Sequence, residues 1–341
     1  MTGPKRMHLA ARFPDAGPTT VRAGTCSGPQ IEFASFEQLA RTAERGLFDF
    51  FLLGEEPGPG EREGRVHDLD AAGRPESLTA LNALAAVTER LGLAATADAT
   101  FNEPFELARR LATLDHLSGG RAAWHVAPSS DASTGENFRR RGHLDRSERY
   151  VRAAEFVATA RELWDSWTPD GTPRPFAHHG RHFDIAGEFT LPRSPQGHPV
   201  VIQADDSEEG REFAASSADV LLARHGTLEA GRACYADVKR RLAAYGRDPD
   251  DLKIMSDVTV VLGETAAGAR TPEQVAAELT EFVARDAADG FVLVPHPAPG
   301  GLDEFVDRVV PLLQERGVFR TAYEGATLRS HLGLGEPVWK G

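Results

Sequence analysis

The residues best able to do chemistry stand directly behind short apolar runs. Gly54-Glu55-Glu56 follows FDFFLL, Asp98 and Thr100 follow LGLAATA, and His125 and Ser129 close RAAWHV and its exit. Asp205-Asp206-Ser207 follows PVVIQA, Arg224-His225 follows DVLLA, and His296 follows GFVLVP. An imidazole so placed can move a proton once a carboxylate orients it. Ser207 opens a helical stretch, so its hydroxyl and the free N–H groups of the first turn could hold an anion such as phosphate. A plain N-cap is the other reading of the same residue, with no capping box, because Gly210 rather than Glu stands three positions on. Asp205 and Asp206 would repel a phosphate unless they point away. His116, at the end of LATLDHLSGG, reads as structural.

Several other chemistries lack their motifs. There is no HExxH, HxH or CxxC spacing, and the adjacent His178-His179 sits in an expected loop, so no metal is expected. Neither GxSxG, GxGxxG after the first strand, nor GxxxxGK[ST] occurs. Lys plus Arg total 38 against 51 Asp plus Glu, a net charge of −13. A surface that acidic, with no basic stripe, excludes nucleic acid and anionic lipid as expected partners. MTGPKRMHLAARFPD has no apolar core of signal-peptide length, and no run approaches the ~18 apolar residues of a spanning helix. Cys26 and Cys234 form no framework and read as small hydrophobes. A cytoplasmic protein is expected.

The elements that must position these residues alternate along the 341-residue chain. Phe36, Leu39, Ala40, Ala43 and Leu47 have helical spacing before the strand FDFFLL (48–53), and Leu78 to Leu91 repeats the helix before LGLAATA. Phe105 to Leu117 is closed by Ser118-Gly119-Gly120 ahead of RAAWHV, and Ser147 to Trp167 is a fourth helix. PVVIQA (199–204), helix 207–217, DVLLA (219–223), helix 228–245, KIMSDVTVVLG, helix 272–288, GFVLVP (290–295) and helix 302–316 follow. With MHLAARF at the start this makes eight strand–helix units, which predict a closed (β/α)8 TIM barrel, a single domain over 1–341. A doubly wound open sheet is the structural alternative. A typical barrel takes ~250 residues, and the remaining ~90 fall at about 54–76, 127–146 and 168–198, the last containing a hairpin-like RHFDIAGEFTL. In such a barrel the active site forms behind the strands' C-terminal ends, where the residues above stand.

Long stretches of the chain resemble the bacterial luciferase-like flavin monooxygenases, in the branch with the nitrilotriacetate, EDTA, dibenzothiophene-sulfone and long-chain alkane monooxygenases. ARTAERGLFDFFLLGE, FNEPFELARRLATLDHLSGGRAAWHV, ENFRRRGHLDRSERYVRAAEFVATARELWDSW, PVVIQADDSEEGREFAA and the segment from AADGFVLVP to RSHLGL carry the resemblance. It implies a luciferase-like barrel that uses reduced FMN, supplied by a separate flavin reductase, and O2 to oxygenate a small organic substrate. By the same resemblance Gly54 and Glu55 take the place of an Ala-Asp pair beside the flavin ring, and Asp98 to Thr100 border the flavin. His125 stands where the family has Asn in a Trp-Asn-Val run, and Ser129 keeps a Ser. Tyr150, in SERY, matches a tyrosine that binds the FMN phosphate, and Asp206 and Ser207 match the backbone and hydroxyl phosphate contacts. His125, His225 and His296 are the expected polar groups facing flavin or substrate, and a homodimer is the expected assembly. Three departures stand out: Asp205 replaces the family's usual Gly beside the phosphate, ARFPDAGPTTVRAGTCSGPQ replaces a histidine-bearing segment after strand 1, and GETAAGARTPEQV skips a long insertion before helix 7. Losing that cover opens the substrate cavity or leaves residues 54–76 to close it. The alternatives are a deazaflavin-dependent oxidoreductase of the same superfamily and a noncatalytic barrel that has lost flavin binding.

Overall fold

The computed structural model describes residues 5–13, 32–54, 61–62, 65–66, 75–128, 145–263, 270–295 and 300–339. Its main sheet has eight strands: β1 (His8–Arg12), β2 (Phe50–Leu53), β3 (Gly92–Asp98), β4 (Ala122–Ala127), β5 (Val200–Gln203), β6 (Val220–Ala223), β7 (Lys253–Thr259) and β8 (Gly290–Val294). Each pairs in parallel with its sequence neighbours, and β8 also pairs with β1, so the ladder closes into the expected (β/α)8 barrel. The helices are α1 (Phe33–Arg45), α2 (Ser77–Ala85), α3 (Pro104–Ser118), α4 (Arg146–Trp164), α5 (Glu208–Ser217), α6 (Leu228–Leu242), α7 (Pro272–Ala284), α8 (Gly300–Arg308), α9 (Val310–Glu315) and α10 (Leu328–His331). The expected helix 302–316 is two helices, because Pro311 has no N–H to continue the ladder through 309. Helices α2 and α4 stop earlier than their apolar periodicity, at Ala85 and Trp164. A two-stranded antiparallel hairpin, Pro175–His179 with Asp184–Glu188, lies within residues 168–198. Only its second strand falls in the hairpin-like RHFDIAGEFTL, and its first strand holds His178-His179, which were expected in a loop, through their pairing with Ile185 and Asp184. A second small pair joins Glu61–Arg62 to Arg65–Val66.

Strand alternation divides the buried residues into two sets. Ala10, Phe50, Ala94, Ala123, Ile202, Leu222, Met255 and Val292 fill the barrel, while Leu9, Phe51, Trp124, Leu221 and Phe291 pack against the helices. Helix α10 closes the N-terminal floor, with Leu328 and Leu332 joining the interior cluster and the Leu328 N–H donating to the Gly120 carbonyl at 2.9 Å. Beneath Gly92 there is no room for a side chain, since a Cβ there would stand 2.6 Å from Leu328. No described helix is long and apolar enough to cross a membrane.

Buried charges join the strands at this floor. Asp49, Asp219 and Asp289 each stand just before an even-numbered strand and accept the N–H of Leu9, Val201 and Ile254 in the odd-numbered neighbour, at 2.9, 2.8 and 2.9 Å. Each also meets a cation: Arg320 on Asp49, Arg329 on Asp219 at 2.9 Å, and Lys5 and Lys239 on Asp289 at 2.9 and 3.2 Å. Arg121, just before β4, instead donates to the Leu91, Thr88 and Ala85 carbonyls. Burial alone would raise the Asp49 and Asp289 carboxyls, but their cations hold both at about 2.

The folded-state values lie below the ordinary 3.8, so the stabilisation is complete above pH ~4 and is lost as pH falls through ~2. Replacing Arg320 by Met leaves Asp49 in the floor without its guanidinium, facing the His8 ring at 3.3 Å and the Leu9 N–H at 2.9 Å. Urea unfolding at pH 7 is expected to show a loss of about 3–5 kcal/mol. That deficit narrows as pH falls toward about 3, because a carboxyl without its guanidinium protonates readily; a deficit independent of pH would assign the loss to packing alone.

Candidate functional site

The C-terminal ends of β2 to β6 form one continuous arc of the barrel mouth, since these five strands pair in order. With strands about 4.8 Å apart, the arc from β2 to β5 is roughly 14 Å long. Gly54 follows β2, Asp98 ends β3, His125 lies in β4, and the turns after β5 and β6 carry Asp206-Ser207 and His225. Of the other expected site residues, Glu55, Ser129 and His296 lie outside the described residues, as does most of the 54–76 and 127–146 insertions. Among the described residues no group of three or more His, Cys, Asp or Glu could hold a metal ion.

His125 pairs in register with Thr96 and Ile202, and Ile202 belongs to the barrel interior, so the imidazole faces inward. Its Nδ1 lies 2.9 Å from the Thr96 hydroxyl, which fixes the ring plane. Asp98 organises the loop behind β3: one carboxylate oxygen accepts the N–H groups of Thr100 and Phe101, and its carbonyl accepts Asn102 Nδ2 at 2.8 Å. Arg152 of α4 clamps that loop through the Ala99 and Asn102 carbonyls while its guanidinium lies over the Phe183 ring. Two turns of chain thus hold Asp98 and buried Thr100 beside β4. His225 is half-buried and its Nε2 atom is buried without a hydrogen-bond partner. Burial pushes its imidazole below the ordinary 6.5, against the pull of Asp206.

At the start of α5 the expected anion site is already filled. Ser207 is the N-cap, its hydroxyl accepting the Gly210 N–H at 3.1 Å. Asp205 turns inward rather than away: its carboxylate accepts the Tyr150 hydroxyl, the Ser207 N–H at 2.9 Å and the Ser207 hydroxyl at 3.0 Å. Gln203, 1% exposed, donates to the same Tyr150 hydroxyl at 3.3 Å, and its Oε1 has no partner. Gly210 is required here because a Cβ would stand 2.1 Å from the Asp205 carbonyl oxygen. Asp206 points elsewhere and accepts the Arg224 N–H at 3.3 Å, joining the β5 and β6 turns.

The opposite wall of the mouth holds a group that counting apolar runs passes over. Arg12 at the end of β1 meets Asp257 of β7 at 3.3 Å across β8, and Arg224 Nε lies 3.7 Å from the same carboxylate. Alternation is the signal that finds them: Arg12 has the parity of inward Ala10, and Asp257 that of inward Met255. His116, by contrast, bonds the Pro192 carbonyl at 3.0 Å on the outer surface, and Cys234 is buried among helix-facing residues.

The luciferase-like monooxygenase family model matches residues 13–284. The chain is 34% identical to nitrilotriacetate monooxygenase component A of Aminobacter aminovorans, covering 89% of this chain and 90% of that protein. Against a dibenzothiophene-sulfone monooxygenase of Rhodococcus erythropolis (strain XP) the identity is 33%, with 100% and 99% covered. Among solved structures, the EDTA monooxygenase from Chelativorans sp. BNC1 superposes with a TM-score of 0.87 at 26% identity, over 97% of this chain and 99% of that one. A closed barrel with its polar arc behind the strands, matched along most of its length in both sequence and shape, makes this chain a member of the luciferase-like monooxygenase family.

Proposed function

We propose that this oxidoreductase is the oxygenating component of a flavin-dependent monooxygenase, taking reduced flavin from a separate reductase and using O2 to place one oxygen atom in a small organic substrate. The observation that supports this best is the arc itself: within five neighbouring strands, β2, β3, β4 and β6 bring Gly54, Asp98, Thr100, His125 and His225 to one mouth. A bound reduced flavin supplies the electrons that activate O2; the protein supplies placement and a dry cavity. Relatives named as one component of a pair, nitrilotriacetate monooxygenase component A and pristinamycin IIA synthase subunits A and B, support a separate partner.

The ring end of a flavin suits this arc. Gly54 has no side chain to keep a flat ring from the end of β2, and Asp98 holds the Thr100 loop in place through its backbone. His125, steadied by Thr96, is the group we assign to face the ring or the substrate, where it can hold or pass a proton. His225 at the β6 turn, neutral at pH 7 by the direction of its shift, is the second such group, and His296 after β8 the third expected one. The phosphate end is different. Tyr150 and Ser207 have their donors on Asp205, so this end does not fit the FMN phosphate as it stands.

Supplied with a flavin reductase, NADH and 18O2, the chain is expected to consume O2 in step with one of the substrates named for its relatives, and the product to carry a single 18O. His125→Ala is expected to lower that coupled rate at least tenfold, ~1.4 kcal/mol in the barrier, with flavin affinity kept. Oxidation of reduced cofactor with no O2 uptake would instead indicate hydride transfer. By NMR titration the His225 ring is expected to have a midpoint below 6.5 that falls further in Asp206→Asn, because the aspartate is what pulls it up.

A further inference from the structure

The turn after β5 is built for an anion, and the chain itself provides that anion. The Tyr150 hydroxyl, the Ser207 N–H and the Ser207 hydroxyl converge on the Asp205 carboxylate. Each hydroxyl has one proton to donate, so neither can donate to a second acceptor without releasing Asp205. Tyr150 is further engaged as an acceptor for Gln203 Nε2, and the Ser207 hydroxyl for Gly210 N–H. A phosphate monoester brings only acceptors and a charge near −2. Entering here, it must expel the carboxylate from every donor named and then sit beside it, with Asp206, Glu208 and Glu209 in the same turn. Among the described residues, Arg211 is paired with Asp237 at 3.2 Å and Arg224 lies 3.7 Å from Asp257.

A hydroxyl group meets none of these objections. It is uncharged and brings a donor, and the donor has a waiting partner in Gln203 Oε1, which lies in a 1%-exposed side chain beside Tyr150 and has no hydrogen bond. From this geometry, and resting on the flavin reading above, we infer that the β5–α5 end of the mouth selects a flavin whose ribityl chain ends in a free hydroxyl over one that ends in phosphate. Asp205 is the residue that sets this choice. It acts as a tethered substitute for the phosphate, holding Tyr150 and the α5 N-terminus in place while the ligand's neutral chain end lies against Gln203.

The test is anaerobic titration of the full chain with riboflavin and with FMN, each dithionite-reduced, at pH 7.5 and fixed ionic strength, read by calorimetry. The wild-type chain is expected to bind riboflavin at least tenfold more tightly than FMN. Asp205→Gly frees the three donors and is expected to reverse the order, favouring FMN at least tenfold. Asp205→Asn keeps the side-chain shape without its charge and is expected to fall between the two, with circular dichroism confirming that both variants fold. Equal or tighter binding of FMN by the wild type, or an unchanged preference in Asp205→Gly, overturns the inference and leaves the flavin reading standing. A wild type that binds neither flavin beside a variant that binds FMN overturns it too. If no form of the chain binds either flavin, the flavin reading fails and the inference falls with it.

Discussion

Three carboxylates under the barrel each accept a backbone N–H from one strand while standing at the entry to the next, and each is matched by a buried or half-buried cation. A parallel ladder leaves such end groups without ladder partners, and a buried polar group without a partner costs free energy. Asp49, Asp219 and Asp289 remove that cost where β1 meets β2, β5 meets β6 and β7 meets β8. Their cations come from the chain's first residues, from α6 and from the C-terminal segment, so both ends of the sequence are drawn under the same floor. The eight strand ends at the other face then point the same way, and everything placed behind them shares one mouth.

The two faces differ in what their charges meet. At the floor the three acids accept strand N–H groups and face cations, although Arg320 Nε and Nη1 and both His331 ring nitrogens there have no hydrogen-bond partner; at the mouth and its rim Gln203 Oε1 and His225 Nε2 are likewise buried with no partner. Unpaired polar atoms are tolerated where a ligand can satisfy them. The floor is the part of the barrel that confers stability, and the mouth the part that can bind.

The order of elements was legible in the sequence because eight buried parallel strands read as unbroken apolar runs and the helices between them as periodic ones. The resemblance to luciferase-like monooxygenases, carried by those same runs, is borne out by the family match. What was not legible depends on distance or direction. Arg320 and Asp49 lie 271 positions apart, and Arg329 and Asp219 110, so no local pattern links them. Arg12 and Asp257 were within reach of an alternation count but not of a count of apolar runs. Asp205 was visible as a departure beside Ser207, yet the direction of its side chain is set by Tyr150, fifty-five positions away in α4. Gly210 looked like a missing capping box; it is the position where the Asp205 carbonyl passes too close for any side chain.

That close approach bears on how firmly Asp205 holds its place. Its backbone is pressed against the first turn of α5, and its carboxylate bonds the N–H of a residue only two positions along. A tethered acid of this kind binds without the translational and rotational loss that a free anion must meet, so it competes at a very high effective concentration. Each charge-assisted hydrogen bond contributes about 1.5–3 kcal/mol, and expelling the carboxylate forfeits all three contacts at once. A free phosphate must therefore outbind an opponent that never leaves. A ligand that asks nothing of Tyr150 or Ser207 avoids the contest, and the same carboxylate that bars an anion keeps the helix N-terminus ordered for it.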